Sequence, residues 1–88
     1  MKTETLDKLN INQRATVECV DVDMAMYRRM LDLGFVKGST VECVGRAPSG
    51  DPAAYLVRGA MIALRKEDAC GITVSVEESA EKTQGRKG

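Results

Sequence analysis

Apolar and polar residues alternate along five short segments of the chain, a period of two that is typical of β-strands with one buried face. The predicted strands are residues 15–22, 40–47, 54–58, 61–64 and 72–76. The turn sequence PSGDP at 48–52 separates the second strand from the third, and Gly59 separates the third from the fourth. Gly45 lies inside the second strand and predicts a β-bulge or a close backbone approach there.

One segment has a helical period instead. Residues 24–33 (MAMYRRMLDL) are good helix formers, and their apolar positions 26, 30 and 33 fall on one face. Asp23 precedes the segment as a typical N-cap, and Gly34 follows it as a typical C-terminal stop. We therefore predict a helix that begins after Asp23 and ends at Leu33, with Phe35 folding back onto its end.

The order of these elements predicts a mainly β fold, a small SH3-like five-stranded barrel with one short helix after the first strand. Parallel architecture is disfavoured because it needs long connections between successive strands. Residues 1–14 are expected to form a loose polar end whose Leu6, Leu9 and Ile11 pack a short turn against the core. Residues 65–70 predict one helical turn. We expect one domain at 1–76 and a disordered polar tail at 77–88.

Composition narrows the classes of partner. The chain has 13 basic and 13 acidic residues, and a net charge of zero is unusual for a nucleic-acid-binding protein, so no nucleic acid is expected. No segment approaches the ~20 apolar residues of a membrane span, so membrane insertion is not expected. The three cysteines, at 19, 43 and 70, form no CxxC motif and are interpreted as small buried residues of a reduced, cytoplasmic protein.

Catalytic and ligand-binding signals are weak. The chain has no histidine, the commonest general base, and no cluster of ligands with chelate spacing, so we expect no enzyme, no cofactor and no tight metal site. Residues 45–50 have the GxxxxG spacing of a phosphate-binding loop. Asp51 and Pro52 stand where that loop requires Lys and Ser or Thr, which argues against a nucleotide site.

Two sets of residues leave alternatives open. The methionines are interpreted as core residues or, alternatively, as a soft docking surface: Met24, Met26, Met30 and Met61. A group of basic residues is interpreted as solvated charges balanced by nearby acids or, alternatively, as a binding patch: Arg28, Arg29, Arg46, Arg58, Arg65 and Lys66. We favour the first interpretation in each case.

Three segments in fixed order resemble the FeoA family, the ferrous iron transport protein A type: RRMLDLGFVKGSTVECV (28–44), APSGDPAAYLVRG (47–59) and IALRKEDA (62–69). The similarity covers about residues 5–76. It implies a bacterial, cytoplasmic SH3-like domain that acts in iron homeostasis beside a membrane ferrous iron transporter of the FeoB type, which carries its own GTP-binding domain. The same module also occurs fused to metal-responsive repressors, so the fold alone does not decide the function.

From the resemblance and the lack of catalytic chemistry we expect an accessory or regulatory protein that docks on the cytosolic domain of a FeoB-type transporter. The candidate docking residues are Arg28, Arg29 and Asp32 on the helix and Ser49 and Asp51 in the following turn region. The alternative is a small module associated with a metal-responsive repressor or with nucleic acid. The protein is expected to be a monomer or a small homo-oligomer, and weak metal binding and an effect on the partner's GTP turnover stay open.

Overall fold

The computed structural model describes residues 2–76, so the tail predicted at 77–88 lies outside the described residues. Within this range the strands are β1 Lys2–Thr5, β2 Arg14–Val20, β3 Thr40–Arg46, β4 Ala53–Val57, β5 Ala60–Leu64 and β6 Ile72–Val76. The helices are α1 Met24–Leu33 and α2 Lys66–Ala69, and a 3₁₀ turn lies at Leu6–Lys8. No helix among these residues has both the length and the apolar character to span a membrane.

The strands form one antiparallel sheet in the order β1-β6-β2-β3-β4-β5, which leaves β1 and β5 at its edges. The mainly β class is confirmed, with one strand more than predicted. β1 has the polar sequence KTET, which carries no alternating pattern, and it is ordered by pairing with β6, where Lys2 lies opposite Val76 and Thr5 opposite Thr73. A polar edge strand of this kind is set by its neighbour rather than by its own sequence.

The predicted irregularities of the sheet are present. The register of β3 on β4 shifts between Cys43 and Gly45, which confirms the bulge expected at Gly45. β4 and β5 form a hairpin whose two turn residues are Arg58, with φ of 52°, and Gly59, with φ of 82°. Two successive residues with positive φ make the turn that best matches the twist of paired strands.

Helix α1 occupies the predicted residues and has the predicted caps. The Asp23 carboxylate accepts a hydrogen bond from the Met26 backbone N–H at 2.9 Å. Gly34 has φ of 106° and donates its N–H to the last turn, and the N–H of Phe35 reaches back to the Met30 carbonyl at 2.9 Å. These bonds satisfy groups that the end of a helix otherwise leaves unpaired.

The core lies between the sheet, the 3₁₀ turn and one side of α1. Tyr55 and Phe35 are its largest fully buried side chains, and Leu6 and Leu9 are fully buried as predicted. Ile11 is 50% exposed, so its predicted packing is wrong. It falls in the turn between Leu9 and β2, where the chain leaves the core.

The prediction for the cysteines is correct for one of three. Cys43 is buried in the core, whereas Cys19 and Cys70 are exposed. Cys19 would continue the inward alternation of Ala15 and Val17, but the register of β2 on β6 shifts between Val17 and Cys19 and turns it outward. Cys70 follows the last residue of α2 at the surface.

Candidate docking surface

The outer side of α1 presents apolar side chains to solvent. Met30 is the one fully buried residue of this helix, and Met26 and Leu33 pack against the core beside it. Met24, Tyr27 and Leu31 are 66%, 39% and 38% exposed. Their spacing of i, i+3 and i+7 aligns them along one side of the helix. The helix is therefore apolar on two sides, and one of these is uncovered.

Charged side chains border this stripe. Arg28, Arg29 and Asp32 are all exposed, as the helical period predicted. Among residues 2–76 the structure contains a single ion pair, between Arg14 and Glu42 at 3.5 Å. Arg28, Arg29 and Asp32 therefore form no ion pair within this range. We call this surface the α1 face, and it consists of Met24, Tyr27, Arg28, Arg29, Leu31 and Asp32.

The two predicted docking residues outside the helix have other contacts. The Ser49 hydroxyl donates to the Asp51 carbonyl at 2.9 Å. The Asp51 carboxylate accepts the backbone N–H of Lys66 at 2.8 Å and so caps the N-terminus of α2. The structure thus ties Ser49 and Asp51 to the start of β4 and to α2 rather than to the α1 face.

A groove of about 570 Å³ joins the C-terminal end of α1 to the β4–β5 turn. Leu31, Asp32 and Gly34 line one side of the groove, and Val57 and Arg58 line the other. The aliphatic part of Arg58 lies over Gly34, since a Cβ atom built on Gly34 would be 2.8 Å from Arg58 Cδ. Arg58 therefore extends the α1 face. The Arg-Gly pair after a strand signals the turn, but the sequence does not show that the turn lies against the helix.

The six basic residues considered as a patch do not form one surface. Arg46 is bound by backbone carbonyls: its guanidinium donates to Asp7 in the 3₁₀ turn, to Leu9 directly after it, and to Gly50. It thus fastens the 3₁₀ turn to the end of β3. Arg28 and Arg29 lie on α1. The other three cations, Arg58, Arg65 and Lys66, lie at the two ends of β5.

Tyr55 is the one tyrosine in the core, and its environment is structural. Burial, with a smaller effect of Cys43, raises the pKa of Tyr55 to about 12, so the phenol stays protonated near neutral pH. Its hydroxyl lies 3.5 Å from the Leu6 carbonyl. Asp7, next to Leu6, has one buried carboxylate oxygen without a hydrogen-bond partner.

Potential metal ligands are few. In the described part of the chain, no three His, Cys, Asp or Glu side chains are arranged so that they hold a metal ion. A shallow groove of about 280 Å³ gathers Asp21 and Asp23 near α1 with Glu67, Asp68 and Cys70 near α2. The absence of a tight metal site stays a prediction.

The comparison with known families decides the classification. A sequence model of the FeoA domain matches residues 4–76. The chain belongs to the FeoA family.

Relatives agree with this assignment. A solution structure of the FeoA protein of Chlorobium tepidum superposes with a TM-score of 0.81 at 34% identity, covering 96% of this chain and 81% of that one. Stenotrophomonas maltophilia FeoA, solved as a complex with zinc and described as an SH3 domain protein, has a TM-score of 0.72 at 37% identity, covering 81% of this chain and 88% of that one. The SH3-like class predicted from the sequence is confirmed.

A fusion protein contains the same domain. The Fe(2+) transport protein A/Fe(2+) transporter FeoB fusion protein of Porphyromonas gingivalis is 34% identical over 74 residues. These residues are 84% of this chain but 9% of that protein, so the chain spans about a tenth of its relative. A manganese-dependent transcriptional repressor bound to manganese matches 88% of this chain with a TM-score of 0.78 at 19% identity, over 38% of its own length. At that identity the likeness shows the fold alone.

Proposed function

We propose that this FeoA-family protein is a non-catalytic accessory of a ferrous iron uptake system, and that it docks through the α1 face on the cytosolic domain of a FeoB-type transporter. The main observation in favour of this docking surface is the exposed apolar stripe of α1, formed by Met24, Tyr27 and Leu31.

The fusion protein of Porphyromonas gingivalis supports the partner. Its name places an FeoA part and an FeoB part in one chain. Covalent linkage raises the effective concentration of one domain near the other and favours even a weak contact between them. A contact of this kind needs a binding surface on the FeoA domain.

The α1 face has the composition of a binding surface. Tyr, Met and Arg are enriched at protein interfaces, and Tyr27, Met24 and Arg28 lie side by side there. An arginine that no described carboxylate neutralises is suited to bidentate binding of a partner's carboxylate. The groove next to Arg58 gives the face a concave end, where a side chain of the partner has room to bind.

The residue inventory supports a role without catalysis. The chain has no histidine. Tyr55, whose pKa is raised by burial, is held in the core as a protonated phenol. An accessory that positions or regulates a partner needs neither a general base nor a bound cofactor.

The test is a double charge reversal on the helix. Arg28→Glu with Arg29→Glu should leave the fold intact, because exposed substitutions usually change stability by within about 0.5 kcal/mol. The same variant should bind the transporter's purified cytosolic domain at least about tenfold more weakly, a change of roughly 1.4 kcal/mol. Calorimetry measures the binding, and iron-55 uptake by cells measures the consequence.

A matched control changes the net charge by the same amount at a different part of the surface. Lys2→Glu with Lys8→Glu alters two exposed lysines of the N-terminal segment and should bind like the parent protein. Equal weakening by both double variants would mean that net charge, not the α1 face, governs binding. Unchanged ferrous uptake after deletion of the whole protein would refute the transport role.

The nucleic-acid alternative makes a different prediction. Binding to duplex DNA depends on neutralised phosphates and weakens steeply as salt rises, whereas apolar docking depends little on salt. Micromolar binding of a duplex DNA by the parent protein, lost between 50 and 200 mM salt on the scale expected for phosphate contacts, would contradict our proposal.

A further inference from the structure

Strand β5 leaves one of its two sides without a partner strand. It lies at one edge of the sheet and pairs with β4 alone. The β4–β5 turn has two residues, so Val57 and Ala60 form a hydrogen-bonded pair and the pairs alternate from there. The N–H and C=O groups of Ala60, Ile62 and Leu64 therefore bond to β4. Those of Met61 and Ala63 point away from the sheet along its open edge.

The side chains of this edge strand are apolar. β5 reads AMIAL and has no charged residue, and Met61 is 69% exposed. On the outer face of the sheet Met61 lies opposite Leu56, which is 37% exposed, and Ala63 lies opposite Ala54. An open groove of about 440 Å³ runs along this face, between β3 and Ala63, with Pro52 at one end. A strand added to β5 would place every second side chain next to this groove.

Cations lie at both ends of the edge. Arg58 precedes β5, and Arg65 and Lys66 follow it, all three exposed. Within residues 2–76 none of them forms an ion pair. Neighbouring acidic side chains have other places: Asp51 caps α2, and Glu67 and Asp68 line the acidic groove with Asp21 and Asp23. Asp32 lines the groove beside Arg58 but forms no ion pair with it. The edge thus has an apolar centre between two positive ends.

We propose that the open edge of β5 binds an extended segment of another protein that has an apolar centre and acidic ends. The segment adds a seventh strand to the sheet through the N–H and C=O groups of Met61 and Ala63. Backbone bonds supply affinity in this mode of recognition, and side-chain pockets and charges supply specificity. The edge meets the α1 face only at Arg58, which extends that face, and the proposal does not depend on docking to the transporter.

A second copy of this chain is the other candidate occupant, and charge argues against it. In an antiparallel pairing of two β5 strands that uses the free groups of both residues, Met61 lies opposite Ala63 of the second copy. The same register brings Arg58, in the turn before β5, to the end of the pair where Arg65 and Lys66 of the second copy follow their strand, twice by symmetry. Like charges directly opposite each other destabilise a pair of strands. Acidic residues at the ends of the added strand reverse the sign of this interaction.

The experiment uses three synthetic peptides with the full-length protein. EEVTVTVEE has acidic ends and a strand-forming centre, and KKVTVTVKK has the opposite ends. In EEPTPTPEE prolines replace the three valines, whose N–H groups point toward β5 when their side chains lie next to the groove, so this peptide cannot donate those backbone bonds. We expect EEVTVTVEE to shift the NMR amide signals of Met61 and Ala63 and to slow their hydrogen exchange. KKVTVTVKK should bind at least about tenfold more weakly, and EEPTPTPEE should not bind.

A single substitution separates the edge from the rest of the surface. Ala63→Pro removes an N–H that the sheet itself does not use, and proline is accepted at such positions of edge strands. It should abolish peptide binding while leaving circular dichroism unchanged, and Ala63→Ser, which keeps the N–H, should bind like the parent. Arg28→Glu with Arg29→Glu should also bind the peptide normally, so failure of this proposal and failure of transporter docking are distinguishable.

Four results of the peptide experiments would overturn the proposal. These are no binding of EEVTVTVEE at millimolar concentration, equal binding of EEVTVTVEE and KKVTVTVKK, amide shifts that map away from β5, and binding retained by Ala63→Pro. Protection of the Met61 and Ala63 amides that rises with protein concentration without peptide would assign the edge to a second copy, and it would overturn the proposal as well.

Discussion

The two helices of this domain are stabilised in different ways. α1 has ten residues and contains its own end signals, with Asp23 capping its first turn and Gly34 closing its last. α2 has four residues, and the carboxylate that caps it comes from Asp51, fifteen positions earlier in the chain. Local sequence thus determines where α1 begins and ends, whereas α2 forms because the tertiary fold brings its cap into place.

This difference extends to what each helix exposes. α1 needs one side for the core, and its caps use backbone and Asp23 alone, so its outer side is free to carry Met24, Tyr27 and Leu31. α2 has its N-terminus bound to Asp51 and its Ala69 buried. A locally stabilised helix is therefore the better candidate for binding a partner, and the four predictions below test that contrast.

The largest effect is expected at the end of α2. A Cβ atom on Gly71 would lie 2.6 Å from Val22 Cγ1 and 2.8 Å from the backbone oxygen of Asp21. The Asp21 backbone is itself held, because its N–H donates to the Gly71 carbonyl at 2.7 Å. Gly71→Ala should therefore lower the free energy of unfolding by about 2–3 kcal/mol, as overpacked sites do. Urea denaturation measures the change.

Gly45→Ala is the matched control for that substitution. Gly45 has no positive φ, and nothing lies within 4 Å of the Cβ position. Its unfolding free energy should stay within about 0.5 kcal/mol of the parent. If Gly71→Ala is as mild as Gly45→Ala, the packing of α2 against the β2–α1 connection is looser than the structure indicates.

The end of α1 should respond less strongly and for a different reason. Gly34 has φ of 106°, which side-chain-bearing residues rarely adopt, and its Cβ would meet Arg58 Cδ at 2.8 Å. The arginine stem is flexible and can move aside, so the backbone strain remains as the main cost. Gly34→Ala should destabilise the protein by about 1–2 kcal/mol. Gly34→Asn should cost less, because asparagine tolerates this region better; equal costs in thermal unfolding would contradict this explanation.

The third prediction concerns the hydrogen bond by which Asp51 caps α2. Asp51→Ala removes the oxygen that accepts the Lys66 N–H, and the loss of a cap typically costs about 1 kcal/mol. Amide exchange should quicken first at Cys70, whose N–H bonds to the Lys66 carbonyl within the same short helix. Asp51→Asn keeps an acceptor oxygen and is the control. Exchange at Cys70 that is unchanged in Asp51→Ala would mean that α2 does not depend on this cap.

The contrast between the helices also explains what the sequence predicts well. α1 was predicted to the residue because its caps and its 3.6-residue period are local, and the strands β3 to β6 were predicted to within one or two residues from their alternation. β1 was missed because KTET has no apolar face and is ordered by its pairing with β6. Cys19 was predicted to be buried, and a shift of register that no local residue signals turned it outward.

The candidate site was predictable to a similar extent. The exposure of Arg28, Arg29 and Asp32 follows from helix periodicity alone. The role of Asp51 does not, because a turn sequence gives no information on which distant N–H its carboxylate meets. The contact between Arg58 and Gly34 likewise depends on where the β4–β5 turn is placed in space. Contacts between residues far apart in sequence are not determined by the local pattern of residues.

The smallest effect on stability, and the sharpest test of function, concerns the outer side of α1. Met24→Ser with Leu31→Ser replaces two exposed apolar residues that the core does not use, so the unfolding free energy should change by within about 0.5 kcal/mol. If the stripe is the docking surface, the same variant should bind the transporter's cytosolic domain more weakly by about 1–2 kcal/mol, the range of substantial interface contacts. Calorimetry at two salt concentrations should show a loss that depends little on salt, since the removed groups are uncharged.

The matching control lies on the other helix. Glu67→Ser changes an exposed residue of α2 and should leave both stability and binding unchanged, because α2 is assigned a structural role. If Glu67→Ser weakens binding while the α1 double variant does not, the roles of the two helices are reversed. In that case the docking surface lies at the acidic groove between the start of α1 and α2, where Glu67 and Asp68 face Asp21 and Asp23. The uncovered apolar side of α1 would then have no part in transporter binding.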